Sequence, residues 1–245
     1  MSRFSSSLEF PYVVSIQSNF HHWCGSALIS DQHVLSCAHC WVNEADNSFY
    51  DEKLMGPLTI KAGVNDLNDP KYYFEKVVKD IWMKMLTTGP LNDSLFLLFF
   101  EQLKTKLDVI NSPNVRIVNL PPLNSPDLYV GQYTLVAGYG NTSYLRSPNF
   151  YTGTKLNARA FKFGISITLE IKIIILKKSI FILEGGSGSP MVIHNTVIGV
   201  VSSISTPCGL ENHPTIFTRV SSWINFIEDA MNERYNQDVA VKHFP

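Results

Sequence analysis

Short segments rich in Val, Ile, Leu, Tyr and Phe recur along this chain between closely spaced turn residues. Thirteen prolines and fourteen glycines lie among them. Short apolar, β-branched and aromatic segments bounded by Gly and Pro are typical of strands. The pattern therefore predicts an all-β protein. With 245 residues, 45% of them hydrophobic, the chain can bury a full core as one large domain or as two packed sub-barrels.

Individual strands are predicted where apolar residues alternate or run together. The strongest candidates are residues 9–16, 22–30, 34–36, 58–63, 73–81, 91–100, 132–140, 197–202 and 215–220. Near the end, Trp223, Phe226, Ile227 and Ala230 recur at helical spacing, which predicts a closing helix with an apolar face. We expect Ser221 or Ser222 to cap that helix.

Charge argues against two classes of partner. The net charge is −1, and acidic and basic residues are interspersed without a long run of either sign. Nucleic acids and anionic membranes attract strongly basic surfaces, so we expect neither as a partner.

One octet, residues 183–190 (LEGGSGSP), has the composition of a nucleophile loop. Ser187 lies between glycines, and the apolar segment 191–193 follows. Glycines permit sharp backbone turns and let a substrate carbonyl approach main-chain N–H groups closely. Gly/Ser-rich octets are more often ordinary turns, so this segment needs support from elsewhere in the chain.

Two earlier residues supply that support. His39 follows the predicted strand 34–36, and Asp93 opens the strongly apolar segment 91–100. A structural histidine and a turn-capping aspartate are the ordinary interpretations of each residue alone. Acyl-transfer chemistry needs the three together: a hydroxyl nucleophile, an imidazole base and a carboxylate that orients the imidazole.

The four cysteines are Cys24, Cys37, Cys40 and Cys208. We favour a disulfide between Cys24 and Cys40. Zinc binding by Cys37, His39 and Cys40 is the alternative, but a second ligand cluster is lacking.

Six segments resemble, in order, the motifs of the chymotrypsin/trypsin-like serine proteases. They are CGSALI at 24–29, SCAHC at 36–40, NDSLFLL at 92–98, GYG at 138–140, GGSGSP at 185–190 and PTIFTRV at 214–220. The resemblance covers residues 9–160 and 185–234. It implies one peptidase domain at residues 9–234, built from two packed six-stranded antiparallel β-barrels at 9–120 and 131–220 and a C-terminal helix at 221–234. The active site is expected between the two barrels.

The resemblance also implies roles for residues of the site. Ser187 is the nucleophile, His39 the general base and then acid, and Asp93 the residue that orients His39. Backbone N–H groups of Gly185 and Ser187 form the oxyanion hole. The substrate groove is lined by Ser202, Ser203 and Ile204, and bulk at Ile204 and Thr215 resembles the elastase-like members, which accept small side chains.

This interpretation predicts a secreted, monomeric serine endopeptidase that acts on protein or peptide substrates and meets protease inhibitors. It requires no cofactor and no metal. The opening residues lack the apolar run of a secretory signal, so we expect the natural N-terminus to have been processed away or not included. The sequon at Asn141 is a candidate glycosylation site.

Three departures from the family pattern bear on activity. The chain lacks the Ile-Val-Gly-Gly type sequence whose freed amine pairs with an acid before the nucleophile, and Gly186 stands at the position of that acid. Cys37 stands where the family usually has alanine. Residues 161–183 match nothing in the family and leave Cys208 without its usual partner; we interpret them as non-coding sequence translated in error. Lys and Glu residues interrupt this segment, which excludes a membrane span.

Two other functions remain open. A protease-like protein that has lost catalysis and acts as a binding or regulatory module is favoured by Gly186 and the replaced segment. A lipase or esterase is the weaker alternative, because in that fold the serine precedes the aspartate and histidine.

Overall fold

The structure is a computed structural model. It describes residues 3–4, 9–42, 48–50, 55–69, 74–84, 98–103, 112–125, 129, 132–140, 154–162, 166–168, 172–175, 186–204, 215–234 and 239–243.

The N-terminal half forms an antiparallel sheet that closes on itself. Its six strands are β2 (Val13–Ser18), β3 (His21–Leu28), β4 (His33–Cys37), β5 (Leu58–Ala62), β6 (Phe74–Lys84) and β7 (Leu98–Leu103). They pair in the order β6-β5-β2-β3-β4-β7, and pairing of β6 with β7 completes a barrel. A C-terminal strand, β15 (Val239–His243), adds to the free edge of β6. The six-stranded barrel was predicted, whereas β15 was not.

The second sheet is also antiparallel and contains eight strands within the described ranges. They are β1 (Arg3–Phe4), β8 (Tyr133–Gly138), β9 (Asn157–Lys162), β10 (Ser166–Thr168), β11 (Lys172–Ile175), β12 (Pro190–Ile193), β13 (Thr196–Ile204) and β14 (Thr215–Arg219). Their order is β1-β9-β8-β12-β13-β14-β11-β10. The all-β prediction of two packed antiparallel sheets is confirmed, although both sheets have more strands than the six expected.

The segment 161–183, which was expected to fall outside the family pattern, contributes to this second sheet. Its first residues end β9, and its middle forms the hairpin of β10 and β11. Strand β11 pairs with β14 from Lys172 opposite Thr218 to Ile175 opposite Thr215. Among the described residues, no helix is long and apolar enough to cross a membrane. The origin of the segment as mistranslated sequence stays a hypothesis.

A short helix closes the fold. A 3-10 turn at Val220–Trp223 leads into α1 (Ile224–Met231). The predicted apolar stripe is confirmed, because Trp223, Phe226, Ile227 and Ala230 are all buried. The predicted cap is wrong: both serines lie inside the 3-10 turn, Trp223 is the N-cap residue, and its side chain makes no capping hydrogen bond.

One hydrophobic core joins the two sheets and the helix. It includes Val14 and Val34 from the first sheet, Val192 and Val200 from the second, and Ile227 from α1. Close packing of this core holds the two sheets in a fixed relation. Gly25 of β3 and Ser36 of β4 thereby meet the turn before β12. That meeting point contains the candidate site.

Candidate active site

His39 lies in a 3-10 turn, Ala38–Cys40, directly after β4. Two contacts tie this turn to β3. A disulfide joins Cys24 to Cys40, with the Cα atoms 6.4 Å apart, and the indole N–H of Trp23 donates a 2.7 Å hydrogen bond to the carbonyl of Cys40. This is the disulfide that the sequence favoured. The backbone that carries His39 is therefore anchored on the barrel.

The imidazole of His39 is partly buried and contacts sulfur. Its Nε2 atom lies 3.7 Å from Cys37 Sγ, and burial lowers the pKa of His39 to about 4. The ring is therefore neutral at pH 7 and has a lone pair available for a proton. Within the described part of the chain, the Cys37 sulfur is the hydrogen-bond partner of the ring, and Ser187 is not.

Cys37 is a buried free thiol beside the disulfide. Its Sγ atom lies 3.2 Å from Cys40 Sγ, and the sulfurs of Cys24, Cys37 and Cys40 all lie within 4.8 Å of one another. Burial raises the pKa of the Cys37 thiol. Cysteine binds a metal ion as a thiolate. The sulfurs of Cys24 and Cys40 are joined in a disulfide, so neither is a thiolate. The disulfide form therefore does not offer the zinc site that was considered as an alternative.

Ser187 lies in a tight turn immediately before β12. The N–H of Ser189 donates to the carbonyl of Gly186 across this turn, at 3.1 Å. The N–H of Gly25, in β3, donates to the carbonyl of Ser187 at 2.7 Å. The N–H of Gly188 donates to the carbonyl of Val201, in β13, at 2.8 Å. The turn is thus hydrogen-bonded to one strand from each sheet.

Gly188 makes this double attachment sterically feasible. Its φ is +81°, and a Cβ atom there would collide with the carbonyl oxygen of Gly25 and the hydroxyl of Ser36. Glycine adopts positive φ without strain and leaves room for close backbone approach. The hydroxyl of Ser36 in turn donates to the Gly25 carbonyl at 2.7 Å.

The serine turn and the histidine turn are therefore neighbours. Ser36 lies against Gly188 near the end of β4, and His39 follows three residues later in the turn after that strand. The structure brings together the segments that carry His39 and Ser187. Neither Gly25 nor Ser36 was predicted to have a role in the site, because their contacts are made between distant segments and leave no local pattern.

Two predicted members of the site, Asp93 and Gly185, lie outside the described residues. The chain is described again from Leu98, which pairs with Cys37 across β7 and β4. The roles assigned to Asp93 and Gly185 stay predictions.

The predicted substrate-binding residues lie on β13 and β14. The register places Ile204 opposite Thr215 and Ser203 opposite Ile216, after an irregularity between Val201 and Ser203. Thr215 and Ser202 are each 4% exposed. The hydroxyl of Ser202 has no hydrogen-bond partner within the described chain. The two positions expected to fill the specificity pocket are thus partners on adjacent strands.

Comparisons with a family model and with individual proteins both find similarity to trypsin-like proteins. The Trypsin family profile matches residues 3–227. Trypsin I-P1 of Gallus gallus is 28% identical over 232 residues, covering 91% of this chain and 84% of its own. Melanization protease 1 of Drosophila melanogaster is 27% identical over 263 residues, covering 90% of this chain. The chain spans 62% of the length of that second relative.

A solved structure shows the same fold. The human heparin binding protein superimposes with a TM-score of 0.74 at 23% sequence identity. The superposition covers 94% of this chain and 96% of the other.

Proposed function

The chain belongs to the trypsin family of serine proteases, and from that premise we propose that it is a serine endopeptidase that cleaves peptide bonds through an acyl-enzyme on Ser187. The observation that carries the proposal is the hydrogen bond from Gly25 N–H to the Ser187 carbonyl. It attaches the nucleophile turn to the strand that is disulfide-bonded to the histidine turn.

Each residue has a chemical task in this proposal. The Ser187 hydroxyl attacks the scissile carbonyl carbon while His39 Nε2 accepts its proton, and His39 then donates that proton to the leaving amine. Water, activated by the same imidazole, releases the acyl group. The neutral state of His39 supports the role of base. For this step its Nε2 must face Ser187 instead of Cys37.

The remaining groups stabilise charge. Asp93 orients the imidazole and stabilises its cation, and the N–H groups of Gly185 and Ser187 bind the developing oxyanion. One oxyanion donor contributes about 3–4 kcal/mol to transition-state stabilisation in enzymes of this chemistry.

Substrate preference follows from β13 and β14. Ile204 and Thr215 occupy partner positions on adjacent strands. Trypsin-like members have glycines at the matching positions, and the larger residue types here support a preference for small substrate side chains. Ser202 and Ser203 supply the main chain along which the substrate lies. We propose protein or peptide substrates, inhibition by protease inhibitors, a monomeric state and a secreted location.

A fluorophosphonate probe tests the proposal, because it reacts with activated serines. We expect labelling of the purified chain at Ser187, with the rate falling at least tenfold in Ser187→Ala. Ser125→Ala is the matched control, since Ser125 lies in a turn with Pro122 to which the proposal gives no role, and it should label like the wild type. Equal labelling rates for the wild type and Ser187→Ala would contradict the endopeptidase function.

A second candidate function is a binding or regulatory module without catalysis. It is favoured by the contact of His39 Nε2 with Cys37 and by Gly186 at the position where an acid would pair with a freed amine. This candidate predicts that the wild type and Ser187→Ala are labelled at equal rates in the fluorophosphonate experiment. It also predicts that the chain binds a peptide without a serine-reactive aldehyde group, as measured by calorimetry. A module that neither labels nor binds peptide would contradict both functions.

A further inference from the structure

Three cysteine sulfurs lie together beneath the turn that carries His39. Cys24 and Cys40 share a disulfide, while Cys37 keeps a free thiol with its sulfur 3.2 Å from that of Cys40. The three side chains are between 1% and 4% exposed. A free thiol in contact with a disulfide has the arrangement that precedes thiol–disulfide exchange.

The local backbone favours a second pairing. Cys37 is the N-cap residue of the 3-10 turn, with extended φ and ψ of −102° and 147°, and Cys40 ends that turn. This backbone places the Cys37 sulfur 3.2 Å from the Cys40 sulfur. The Cys-x-x-Cys spacing is also one that redox-active disulfides use.

We propose that Cys37 is a thiol–disulfide exchange site that converts the Cys24–Cys40 disulfide into a Cys37–Cys40 disulfide. The Cys37 S–H bond breaks, and its proton passes to solvent when the site briefly opens. A bond forms between the Cys37 and Cys40 sulfurs as the Cys40–Cys24 bond breaks. Cys24 leaves with the electron pair and takes up a proton from solvent. The step is an isomerisation and consumes no oxidant or reductant.

Burial sets the pace of the exchange. The thiolate is the attacking species, and burial raises the pKa of Cys37, so little thiolate exists at neutral pH. Uncatalysed disulfide rearrangement takes minutes to hours, and we expect this site to lie at the slow end of that range.

The exchange changes the surroundings of His39. In the new isomer His39 lies inside the small ring closed by Cys37 and Cys40, and the sulfur beside its Nε2 carries no proton to donate. This consequence matters for catalysis only if the proposed function holds. The exchange itself does not depend on that function and is testable in a chain without the nucleophile.

Disulfide mapping tests the proposal. The Ser187→Ala, Cys208→Ala chain is incubated at about pH 8.5, the ordinary pKa of a thiol, so that thiolate is present on brief opening. The sample is quenched in acid, unfolded, and its free thiol is alkylated. Cleavage after Leu28 or Leu35 separates Cys24 from Cys37 for mass spectrometry.

We expect the label to divide between Cys37 and Cys24, with about 10% or more on Cys24, which corresponds to isomers within about 1.4 kcal/mol of each other. The control is the same chain with Cys37→Ser, which should carry no label. Label confined to Cys37 after a day would overturn the proposal. Label on Cys24 in the Cys37→Ser control would also overturn it, because the thiol would then come from reduction.

Discussion

The N–H of Gly25 donates a 2.7 Å hydrogen bond to the carbonyl of Ser187. This bond joins the first barrel to the turn that carries the proposed nucleophile. Strand β3, which contains Gly25, also carries the cysteine that is linked to the His39 turn. The relative placement of Ser187 and His39 therefore depends on how closely this strand approaches the turn.

Gly25→Ala should displace the Ser187 turn. The added Cβ would lie 2.5 Å from the Oγ, 3.0 Å from the N and 3.1 Å from the Cα of Ser189. Two of these are backbone atoms, so the turn must move. We expect a loss of about 1–3 kcal/mol in the free energy of unfolding, measured by urea denaturation. We also expect fluorophosphonate to label Gly25→Ala at least tenfold more slowly than it labels the wild type.

Ser189→Ala is the matched control for that variant. The Ser189 hydroxyl is buried without a hydrogen-bond partner within the described chain, so its removal should leave stability within about 0.5 kcal/mol of wild type or raise it. If Gly25→Ala proves as stable as Ser189→Ala, the close approach of β3 to the turn is not a constraint.

His39 should make stability depend on pH in a defined window. Its pKa is lowered by burial from 6.5 to about 4. Between these values the unfolded chain binds more protons at this site than the folded chain, so stability rises with pH. The contribution of neutral His39 to the free energy of unfolding is complete above pH 6.5 and is lost as pH falls to about 4. We expect this contribution to be about 1–3 kcal/mol.

Urea denaturation at several pH values between 4 and 7 measures this effect. His39→Asn should remove that part of the pH dependence, whereas His21→Asn, at an exposed position, should keep it. Identical pH dependence in the wild type and His39→Asn would show that the imidazole is not held in a desolvated site.

Tyr139→Phe should weaken the contact between the two halves. The Tyr139 hydroxyl donates a 2.6 Å hydrogen bond to the carbonyl of Val64, and the side chain is fully buried. Burial raises the pKa of Tyr139, so the hydroxyl keeps its proton. Its loss leaves the Val64 carbonyl without this donor and should cost about 1–2 kcal/mol. Tyr133→Phe, at a position 72% exposed, should unfold like the wild type.

His243→Ala should loosen the C-terminal strand. His243 Nδ1 lies 2.5 Å from Asp80 Oδ1, and the Asp80 side chain is 5% exposed. His243 and Asp80 are also register partners of β15 and β6, so this side-chain pair fixes the end of β15 on β6. We expect faster amide exchange along β15 and a loss of about 0.5–1 kcal/mol in unfolding free energy, both smaller in high salt.

Lys79→Ala is the comparison for that pair. Lys79 Nζ lies 3.1 Å from Asp80 Oδ2, but the lysine side chain is 46% exposed, so its loss should matter less. A larger effect from Lys79→Ala than from His243→Ala would contradict the anchoring role of His243.

Much of the architecture was predictable because its signals are local. Alternation in segments such as residues 9–16 and 132–140 predicts strands, and the spacing of Trp223, Phe226, Ile227 and Ala230 predicts the buried face of α1. The expected disulfide, Cys24 with Cys40, is present. The serine cap of α1 was mispredicted, since propensity alone does not reveal that the chain enters the helix through a 3-10 turn.

Strand β15 and the hairpin of β10 and β11 were not predicted. Residues 239–243 carry a weak strand pattern, and they pair only because β6 presents a free edge there. Likewise, the Ile-rich residues 172–175 become a strand because β14 presents an edge to them. An edge is created by the folded sheet and is invisible in the segment that pairs with it.

The sequence by itself determined an all-β chain with a histidine after one strand and a glycine-flanked serine before another, because strand periodicity and turn chemistry act over a few residues. Only the tertiary structure decided which of these residues meet. The contacts of Gly25 with Ser187, and of Cys37 with both Cys40 and His39, depend on sheet register, on the packing of two sheets and on side-chain direction. These are set by interactions between segments far apart in the chain, which a local pattern does not encode.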